Sequence, residues 1–299
     1  MRIVYFGSGA FGLPTLMRLV AEHDVPLVVT QPDRPAGRGK RTTPTPVAAF
    51  AADHDVAAIK PDSMDDPDLV ARLKQIEADA WVVIAYGHKL PQSLIGDRFA
   101  INLHGSLLPK YRGAAPINWA MINCEKYTGV TVITLADRMD AGQILAQRDV
   151  RIDAMETAGE LHDRLASLGP EAVLETLESW KNGTLDPRNQ DESKASRAPR
   201  LTKADGTVCF DQPAAAVRCR VHGLVPWPGC SVQIDDKTLK LLRVNVFDVD
   251  TGSQEPGEIR GDLSVACESG AVQLLSVQPA GGKTMTFEAF CRGRDITPG

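Results

Sequence analysis

Short apolar runs alternate with stretches of helical periodicity over about the first 150 residues, and this alternation restricts the fold more than any other feature. Runs this short and rich in Val and Ile are typical of parallel strands whose two faces are covered by helices. Helical patterns fill the gaps, as at residues 66–78, where Asp66 can cap a helix that starts with Pro67. The predicted strands are RIVYF, PLVVT, AWVVIA, AINLH and TGVTVITL. We predict an α/β fold with a doubly wound, Rossmann-like sheet.

The pattern changes after a long predicted helix that covers about residues 157–179. Residues 183–206 lack apolar periodicity and are rich in polar residues, which is typical of an extended linker. Beyond them, short alternating runs such as CSVQI, TLKLLRVNVF and AVQLLSVQP are separated by turn residues, which predicts a small β-barrel. The predicted domains are therefore 1–182 (α/β), 183–206 (linker) and 207–299 (barrel).

Charge and cysteine content exclude several classes of protein. The formal net charge of −5 argues against a protein that coats nucleic acid by charge alone. The six cysteines show no C-x-x-C, so we expect reduced thiols, no structural zinc and no disulfide framework. No apolar run is long enough to cross a membrane and no leader pattern opens the chain, so we expect a cytoplasmic protein.

The first strand leads into Gly7, Gly9 and Gly12, which match the G-x-G-x-x-G turn of dinucleotide-binding proteins. Such enzymes place an acidic residue at the end of the second strand to bind the ribose. Here that strand ends in Thr30 and Gln31, with no acidic residue at its end. We interpret the glycines as a requirement of the fold, while a non-enzymatic dinucleotide- or RNA-binding module stays an alternative.

Polar residues that directly follow strands are the strongest candidates for catalysis, because ligands of doubly wound sheets bind at the carboxyl ends of strands. Asn102 and His104 are two residues apart and therefore lie on one face of the AINLH strand, just before Gly105. After the next long strand, Asp140 and Gly142 form a turn that can bring a carboxylate to the same place. We predict that Asn102, His104 and Asp140 form one site.

Long motifs carry a resemblance to the folate-dependent formyltransferases, and within them to the branch that acts on methionyl-tRNA. The motifs are INLHGSLLPKYRGAAPINWA with the following Asp140, TQPDRPAGRGK at 30–40, VVIAYGHKLP at 82–91, APRLTKADG at 198–206 and PWPG at 226–229. The resemblance covers essentially the whole chain. It implies a Rossmann-like formyltransferase domain followed by an OB-like barrel, and transfer of a formyl group from 10-formyltetrahydrofolate to the methionine amine of initiator tRNA.

The resemblance also implies roles for individual residues. The amide of Asn102 and a ring nitrogen of His104 would donate to the formyl oxygen, and Asp140 would favour the protonated ring, with no metal required. The implied folate site includes Tyr86 and Leu90 and the run Ser106, Leu107, Leu108 and Pro109. The implied tRNA contacts come from the basic loop Arg34, Arg38, Lys40 and Arg41.

The chain departs from the branch's pattern at two places: the first keeps the dinucleotide-binding alternative open, and the second leaves local contacts within the predicted barrel open. At the first turn, where this branch typically has G-T-P-x-F, the chain has Gly7-Ser8-Gly9-Ala10-Phe11. Before the PWPG motif, where the branch typically has R-x-x-N, His222 and Val225 take the places of the Arg and the Asn. A nucleotide-linked amino sugar stays an alternative acceptor, because formyltransferases that act on such sugars share HGSLLPKYRG and a D-A-G turn. The basic loop favours tRNA, because a sugar acceptor gives no reason for it.

Overall fold

The structure, a computed structural model, describes residues 1–36, 41–234, 237–250, 252 and 254–292, without the side chains of residues 36 and 41. The described strands are β1 (Arg2–Gly7), β2 (Asp24–Val29), β3 (Arg34–Ala36), β4 (Arg41–Thr43), β5 (Ala58–Ile59), β6 (Ala80–Ile84), β7 (Ala100–His104), β8 (Arg112–Gly113), β9 (Tyr127–Thr134), β10 (Ile144–Arg151), β11 (Arg197–Ala198), β12 (Cys230–Ile234), β13 (Lys237–Phe247), β14 (Ser264–Ala266), β15 (Ala271–Pro279) and β16 (Met285–Thr286). The described α-helices are α1 (Leu13–Glu22), α2 (Pro46–Asp53), α3 (Pro67–Lys74), α4 (Gln92–Ile95), α5 (Pro116–Ile122), α6 (Ala158–Lys181), α7 (Ala214–Gly223) and α8 (Phe287–Cys291).

The chain divides into two compact units. The first unit comprises Met1–Arg112, Gly129–Asp149 and His162–Ser196, and the second comprises Gly113–Thr128, Val150–Leu161 and Arg197–Gly299. The domain boundaries at 182/183 and 206/207 stay a prediction.

The first unit contains a seven-stranded sheet in the order β10-β9-β7-β6-β1-β2-β5. All of β6 and residues 3–7 of β1 are buried, which explains why these strands are apolar without alternation. β1 pairs in parallel with both β2 and β6, and β6 pairs in parallel with β7. Strand order therefore reverses beside β1, as it does in doubly wound folds. The predicted α/β architecture is confirmed.

One strand departs from the parallel pattern that the sequence suggested. β9 pairs antiparallel with β7, with Ile101 opposite Thr134 and His104 opposite Thr131. Leu135 N–H donates to the Ala100 carbonyl at 3.2 Å, so β9 ends beside the start of β7. His104 lies four residues further along β7, or about 13 Å at the usual strand rise. The loop after β9 must therefore run back along β7 to bring Asp140 to His104.

The second unit is built on an antiparallel sheet in the order β12-β13-β15-β14, with β16 also paired to β15. Its buried core includes Val217 and Val221 of α7 and Leu239, Leu241 and Val272 of the sheet. The predicted strand-rich C-terminal unit is confirmed, and its closure into an OB-like barrel stays a prediction.

A buried histidine joins α7 to the sheet of the second unit. His222 is 1% exposed, and its Nε2 accepts a hydrogen bond from the Val244 N–H at 3.1 Å. Burial, together with the charges of Arg243 and Arg218, lowers the pKa of His222 from 6.5 to about 4. The neutral ring is the form that accepts the Val244 hydrogen bond, so the position where the family has Arg is here a structural acceptor.

We expect His222 to make the fold acid-sensitive. Because its pKa is lower folded than unfolded, the unfolded state binds more protons between pH 6.5 and 4, and stability falls as pH drops through that window. The loss is of the order of 2–3 kcal/mol at pH 4.5. Denaturant unfolding at pH 7.5 and 4.5 should show this loss in wild type and not in His222→Asn. Equal losses in both proteins would show that His222 is not responsible.

The expectation that all thiols are reduced is wrong for one pair. Cys124, which follows α5, and Cys219 of α7 form a disulfide with their Cα atoms 5.5 Å apart. The two helices pack together in the second unit, where the Asn118 side-chain amide donates to the Gly223 carbonyl at 2.7 Å. Because the two cysteines are 95 residues apart, sequence spacing gave no sign of the pair.

Candidate active site

The site is organised around the carboxyl end of β7, an interior strand of the sheet. Asn102 of β7 lies opposite Val83 of β6 on one side and Ile133 of β9 on the other. Its side chain is half-buried, and within the described part of the chain the amide has no hydrogen-bond partner. Its two N–H donors are therefore available to a ligand.

His104, the last residue of β7, lies between two hydrogen-bond acceptors. Its side chain is 6% exposed, and Nε2 donates to the Tyr111 carbonyl at 2.9 Å. On the other side of the ring, Nδ1 lies 3.6 Å from Oδ2 of Asp140, whose side chain is 13% exposed. Because a carbonyl and a carboxylate both accept, the ring satisfies both only when both of its nitrogens carry hydrogen. Because Nε2 is committed to the Tyr111 carbonyl, Nδ1 is the ring nitrogen left to donate to a ligand.

Asp140 belongs to a loop of residues 135–142, which we call the Asp140 loop. Asp140 has φ +54°, a conformation that is costly for a residue with a side chain. At Gly142 a Cβ atom would overlap the Thr134 carbonyl oxygen, so the loop can close against β9 only with glycine there. The structure thus brings together Asn102 and His104 on one strand and Asp140 against His104.

Gln190 supports the Asp140 loop, although sequence analysis assigned it to a linker. Its Nε2 donates to the carbonyls of Asp140 and Gly142 at 2.7 and 2.8 Å. Its Oε1 accepts from the Nε and Nη2 of Arg112 at 3.0 and 2.7 Å. No periodicity or motif links these positions, so sequence alone carried no signal for the contact.

The segment that follows His104 is fixed by Thr131 of β9. Its hydroxyl donates to the Ser106 carbonyl at 2.6 Å and accepts from Leu108 N–H at 3.1 Å. Ser106 is fully buried, and its own hydroxyl donates to the Lys110 carbonyl at 2.7 Å. Gln147 adds a bond from Nε2 to the Leu108 carbonyl at 2.9 Å. These hydrogen bonds therefore fix the backbone of this segment from within the first unit.

The four residues predicted to line a folate site differ in how accessible they are. Leu107 and Pro109 are half-buried, whereas Ser106 is buried and Leu108 packs with Ile133 and Ile144. Direct side-chain contact with a ligand is therefore open to Leu107 and Pro109, and Ser106 and Leu108 shape the segment beneath them.

Tyr86 and Leu90, also predicted for the folate site, have their side chains in the core of the first unit. Tyr86 is 2% exposed and Leu90 4% exposed, and the Tyr86 hydroxyl donates to the Met64 sulfur at 3.0 Å. Tyr86 also packs edge-on against Phe6 with ring centroids 5.8 Å apart. These two side chains can form the wall behind a pocket, and Gly87 and Lys89 are the exposed residues of this segment.

The basic loop is described only at its two ends. Arg34 of β3 is exposed and lies opposite Thr43 of the antiparallel strand β4. Arg38 and Lys40 lie outside the described residues, as does the side chain of Arg41. Lys60 Nζ lies 2.6 Å from Asp33 Oδ1, so the acidic residue of this loop is paired.

The glycine turn after β1 has a packing role. A Cβ at Gly12 would overlap the Tyr5 hydroxyl, and one at Gly7 would meet both Tyr5 and the Ile84 carbonyl. The Ser8 hydroxyl donates to the Tyr86 carbonyl at 3.2 Å and accepts from the Gln31 N–H at 3.1 Å. The turn is therefore explained by close packing of β1, α1 and β6.

The described residues include no group of three or more His, Cys, Asp or Glu placed to hold a metal ion. None of the described helices is long and apolar enough to span a bilayer.

Comparison with known proteins assigns the family. The family profile described as "Formyl transferase" matches residues 1–177, more than half of the chain. This chain belongs to the formyl transferase family. The profile for the C-terminal domain of formyl transferases matches residues 200–295.

Two curated relatives of this formyl transferase match it over its whole length. A methionyl-tRNA formyltransferase of Heliobacterium modesticaldum is 44% identical and is covered over 99% of its length. One of Geobacter sulfurreducens is 42% identical and is covered over 96%. Both alignments include 100% of the present chain.

Solved structures show the same fold at low identity. HypX from Aquifex aeolicus in complex with tetrahydrofolic acid has a TM-score of 0.63 and 18% identity, over 98% of this chain and 47% of HypX. The N-formyltransferase from Helicobacter canadensis, in complex with folinic acid and dTDP-3-aminofucose, has a TM-score of 0.70 and 14% identity, over 90% of this chain and 97% of that protein. This formyl transferase therefore spans about half the length of HypX.

Proposed function

We propose that this chain transfers the formyl group of 10-formyltetrahydrofolate to the amino group of methionyl-initiator tRNA, in the cytoplasm, at the start of translation. The observation that carries the proposal is the position of His104 between Asp140 and the Tyr111 carbonyl, beside Asn102, at the end of β7. Its support in sequence is the full-length identity of 44% to a methionyl-tRNA formyltransferase.

The chemistry of formyl transfer matches these three side chains. When the amine attacks the formyl carbon, the carbonyl oxygen gains negative charge, and hydrogen-bond donors that face it stabilise the transition state. The Asn102 amide and the Nδ1–H of His104 are such donors. The amine loses a proton and the folate nitrogen gains one as the C–N bond breaks, and Asp140 is placed to relay that proton through a water. We propose these residues as the catalytic set.

The two substrates bind to different segments in this proposal. The folate lies along residues 106–109 and the exposed part of residues 86–90, with Tyr86 and Leu90 supporting that segment from the core. The acceptor end of the tRNA is bound by the basic loop of Arg34, Arg38, Lys40 and Arg41. Neutralisation of Asp33 by Lys60 leaves the positive charge of that loop available to phosphates.

A nucleotide-linked amino sugar is the second candidate acceptor. The Helicobacter canadensis enzyme shares the fold and was solved with dTDP-3-aminofucose, but 14% identity supports only the fold. Purified protein should be supplied with 10-formyltetrahydrofolate and, in parallel, with charged initiator tRNA and dTDP-amino sugars. Transfer to tRNA is expected. Transfer only to a sugar would replace the proposal with the second candidate, and no transfer would favour a non-enzymatic binding module.

Charge removal in the basic loop should weaken tRNA binding in a salt-dependent way. In the variant Arg34→Ala, Arg38→Ala, Lys40→Ala, each lost phosphate contact should reduce the slope of log affinity against log salt by roughly 0.7 to 0.9. The KM for the folate should stay within about twofold of wild type, since residues 106–109 are untouched. Binding and transfer are measured at several salt concentrations. The matched control is Arg72→Ala, an exposed arginine of α3. An unchanged slope in the loop variant would remove the loop from the tRNA site.

A further inference from the structure

Asp140 adopts a backbone conformation that must be held by its surroundings. A residue with a Cβ is less stable at φ +54° than in a right-handed helical or extended conformation. Its carboxylate lies 3.6 Å from His104, slightly beyond hydrogen-bond distance, so a small movement of the backbone decides whether the two groups interact. Contacts that fix the carbonyls of this loop therefore also fix the carboxylate.

The Gln190 side chain makes such contacts on both sides of Asp140. The two hydrogens of its amide go to two carbonyls of one loop, those of Asp140 and Gly142, at 2.7 and 2.8 Å. A primary amide supplies two donors in one plane, which a hydroxyl or a carboxylate cannot do. Gln190 thus spans the turn that carries Asp140.

Arg112 fixes the orientation of that amide. It is 9% exposed, and its Nε and Nη2 both donate to the Gln190 Oε1, which forces the amide nitrogen toward the loop. Two of the three remaining guanidinium hydrogens go to Glu192, with Nη2 donating to Oε1 at 2.8 Å and Nη1 to Oε2 at 3.2 Å. The hydrogen bonds from Arg112 and then Arg138 lower the pKa of Glu192 to about 2, so the ion pair persists across the physiological range.

The rest of the loop is anchored by two further contacts. Lys89 Nζ donates to the Asp137 carbonyl at 2.8 Å. Arg138 Nη2 donates to Glu192 at 2.9 Å, so the carboxylate that binds Arg112 also binds the loop. Gln190 is nevertheless the side chain that bonds the carbonyls of Asp140 and Gly142, next to the catalytic carboxylate.

We propose that Gln190, oriented by Arg112, is a positioning residue that sets the Asp140 carboxylate against Nδ1 of His104 for formyl transfer. The proposal rests on the proposed function for its catalytic consequence. Its geometric part does not depend on which acceptor is used.

The informative substitution is Gln190→Glu. A glutamate keeps an oxygen for Arg112, and therefore the packing and ion pairing of the buried guanidinium, but it cannot donate to the two carbonyls. We expect kcat for formyl transfer to fall about tenfold to thirtyfold, with each KM within about twofold of wild type and little change in Tm. The matched control is Gln143→Ala, which loses an exposed bond to Asn189 beside the same loop. It should retain the wild-type kcat.

Two further measurements separate positioning from general support of the fold. In an Asp140→Ala background, Gln190→Glu should have almost no additional effect on kcat, because it acts through Asp140. The ¹⁵N chemical shift of His104 Nδ1, measured at pH 7 without substrates, should change in Gln190→Glu and not in Gln143→Ala.

The outcomes distinguish this inference from the proposed function. Wild-type kcat in Gln190→Glu, or a full additional loss in the Asp140→Ala background, would overturn the positioning role while the proposed function stands. A wild-type protein that transfers no formyl group would overturn the proposed function alone. The nitrogen shift then decides the positioning role by itself, since an unchanged shift in Gln190→Glu would overturn it.

Discussion

Alanine at Asn102 or at His104 is expected to lower kcat for formyl transfer about a hundredfold each. In the proposed mechanism both side chains donate to an oxygen that becomes charged only in the transition state, and one such donor is typically worth about 3 kcal/mol. KM for either substrate should change little, because these hydrogen bonds are expected to stabilise the transition state and not the bound substrates. Steady-state kinetics with charged initiator tRNA measure both constants.

The two variants should differ in stability. The Asn102 amide has no hydrogen-bond partner within the described part of the chain, so its loss should leave Tm near the wild-type value. His104 is 6% exposed and bonded to the Tyr111 carbonyl, so His104→Ala leaves a cavity, removes that hydrogen bond and should cost about 1–3 kcal/mol. A wild-type kcat in either variant would remove that residue from the catalytic set.

The sequence predicted the parts of the site that depend on local periodicity. Asn102 and His104 share a strand face because alternate residues of a strand point the same way. Their place in the last part of a buried strand put them at the carboxyl end of the sheet, where ligands bind. The strands β1, β2, β6 and β7 were also predicted, because each is a short apolar run between helical patterns.

The parts that were missed depend on contacts between distant segments. The antiparallel direction of β9 is set by how the chain returns after residue 104, and a strand's own residues do not encode it. Gln190 contacts Asp140 and Arg112, from which it is separated by 50 and 78 positions in the sequence. It also lies in a segment that has the composition of a linker. The burial of Tyr86 and Leu90 follows from which way the chain turns after β6, which an apolar motif does not specify.

Asp140 is the residue where a change of charge at constant shape should be most damaging. Its carboxylate lies 3.6 Å from Nδ1 of His104, while the Nε2–H is committed to the Tyr111 carbonyl. In Asp140→Asn the new amide can turn its N–H₂ toward Nδ1, and this favours a neutral ring whose Nδ1 is an acceptor. Such a ring cannot donate from Nδ1 to the developing oxyanion.

We therefore expect Asp140→Asn to lower kcat by at least about a hundredfold and to be no faster than Asp140→Ala. In the alanine variant a water can take the place of the carboxylate, and water can accept from Nδ1–H, whereas the asparagine amide can hold Nδ1 in the acceptor state. Comparison of kcat for the two variants, with Tm measured to establish that both fold, tests this directly. If Asp140→Asn were clearly faster than Asp140→Ala, the shape of the side chain would matter more than its charge, and Asp140 would be a residue of the turn with no part in proton relay.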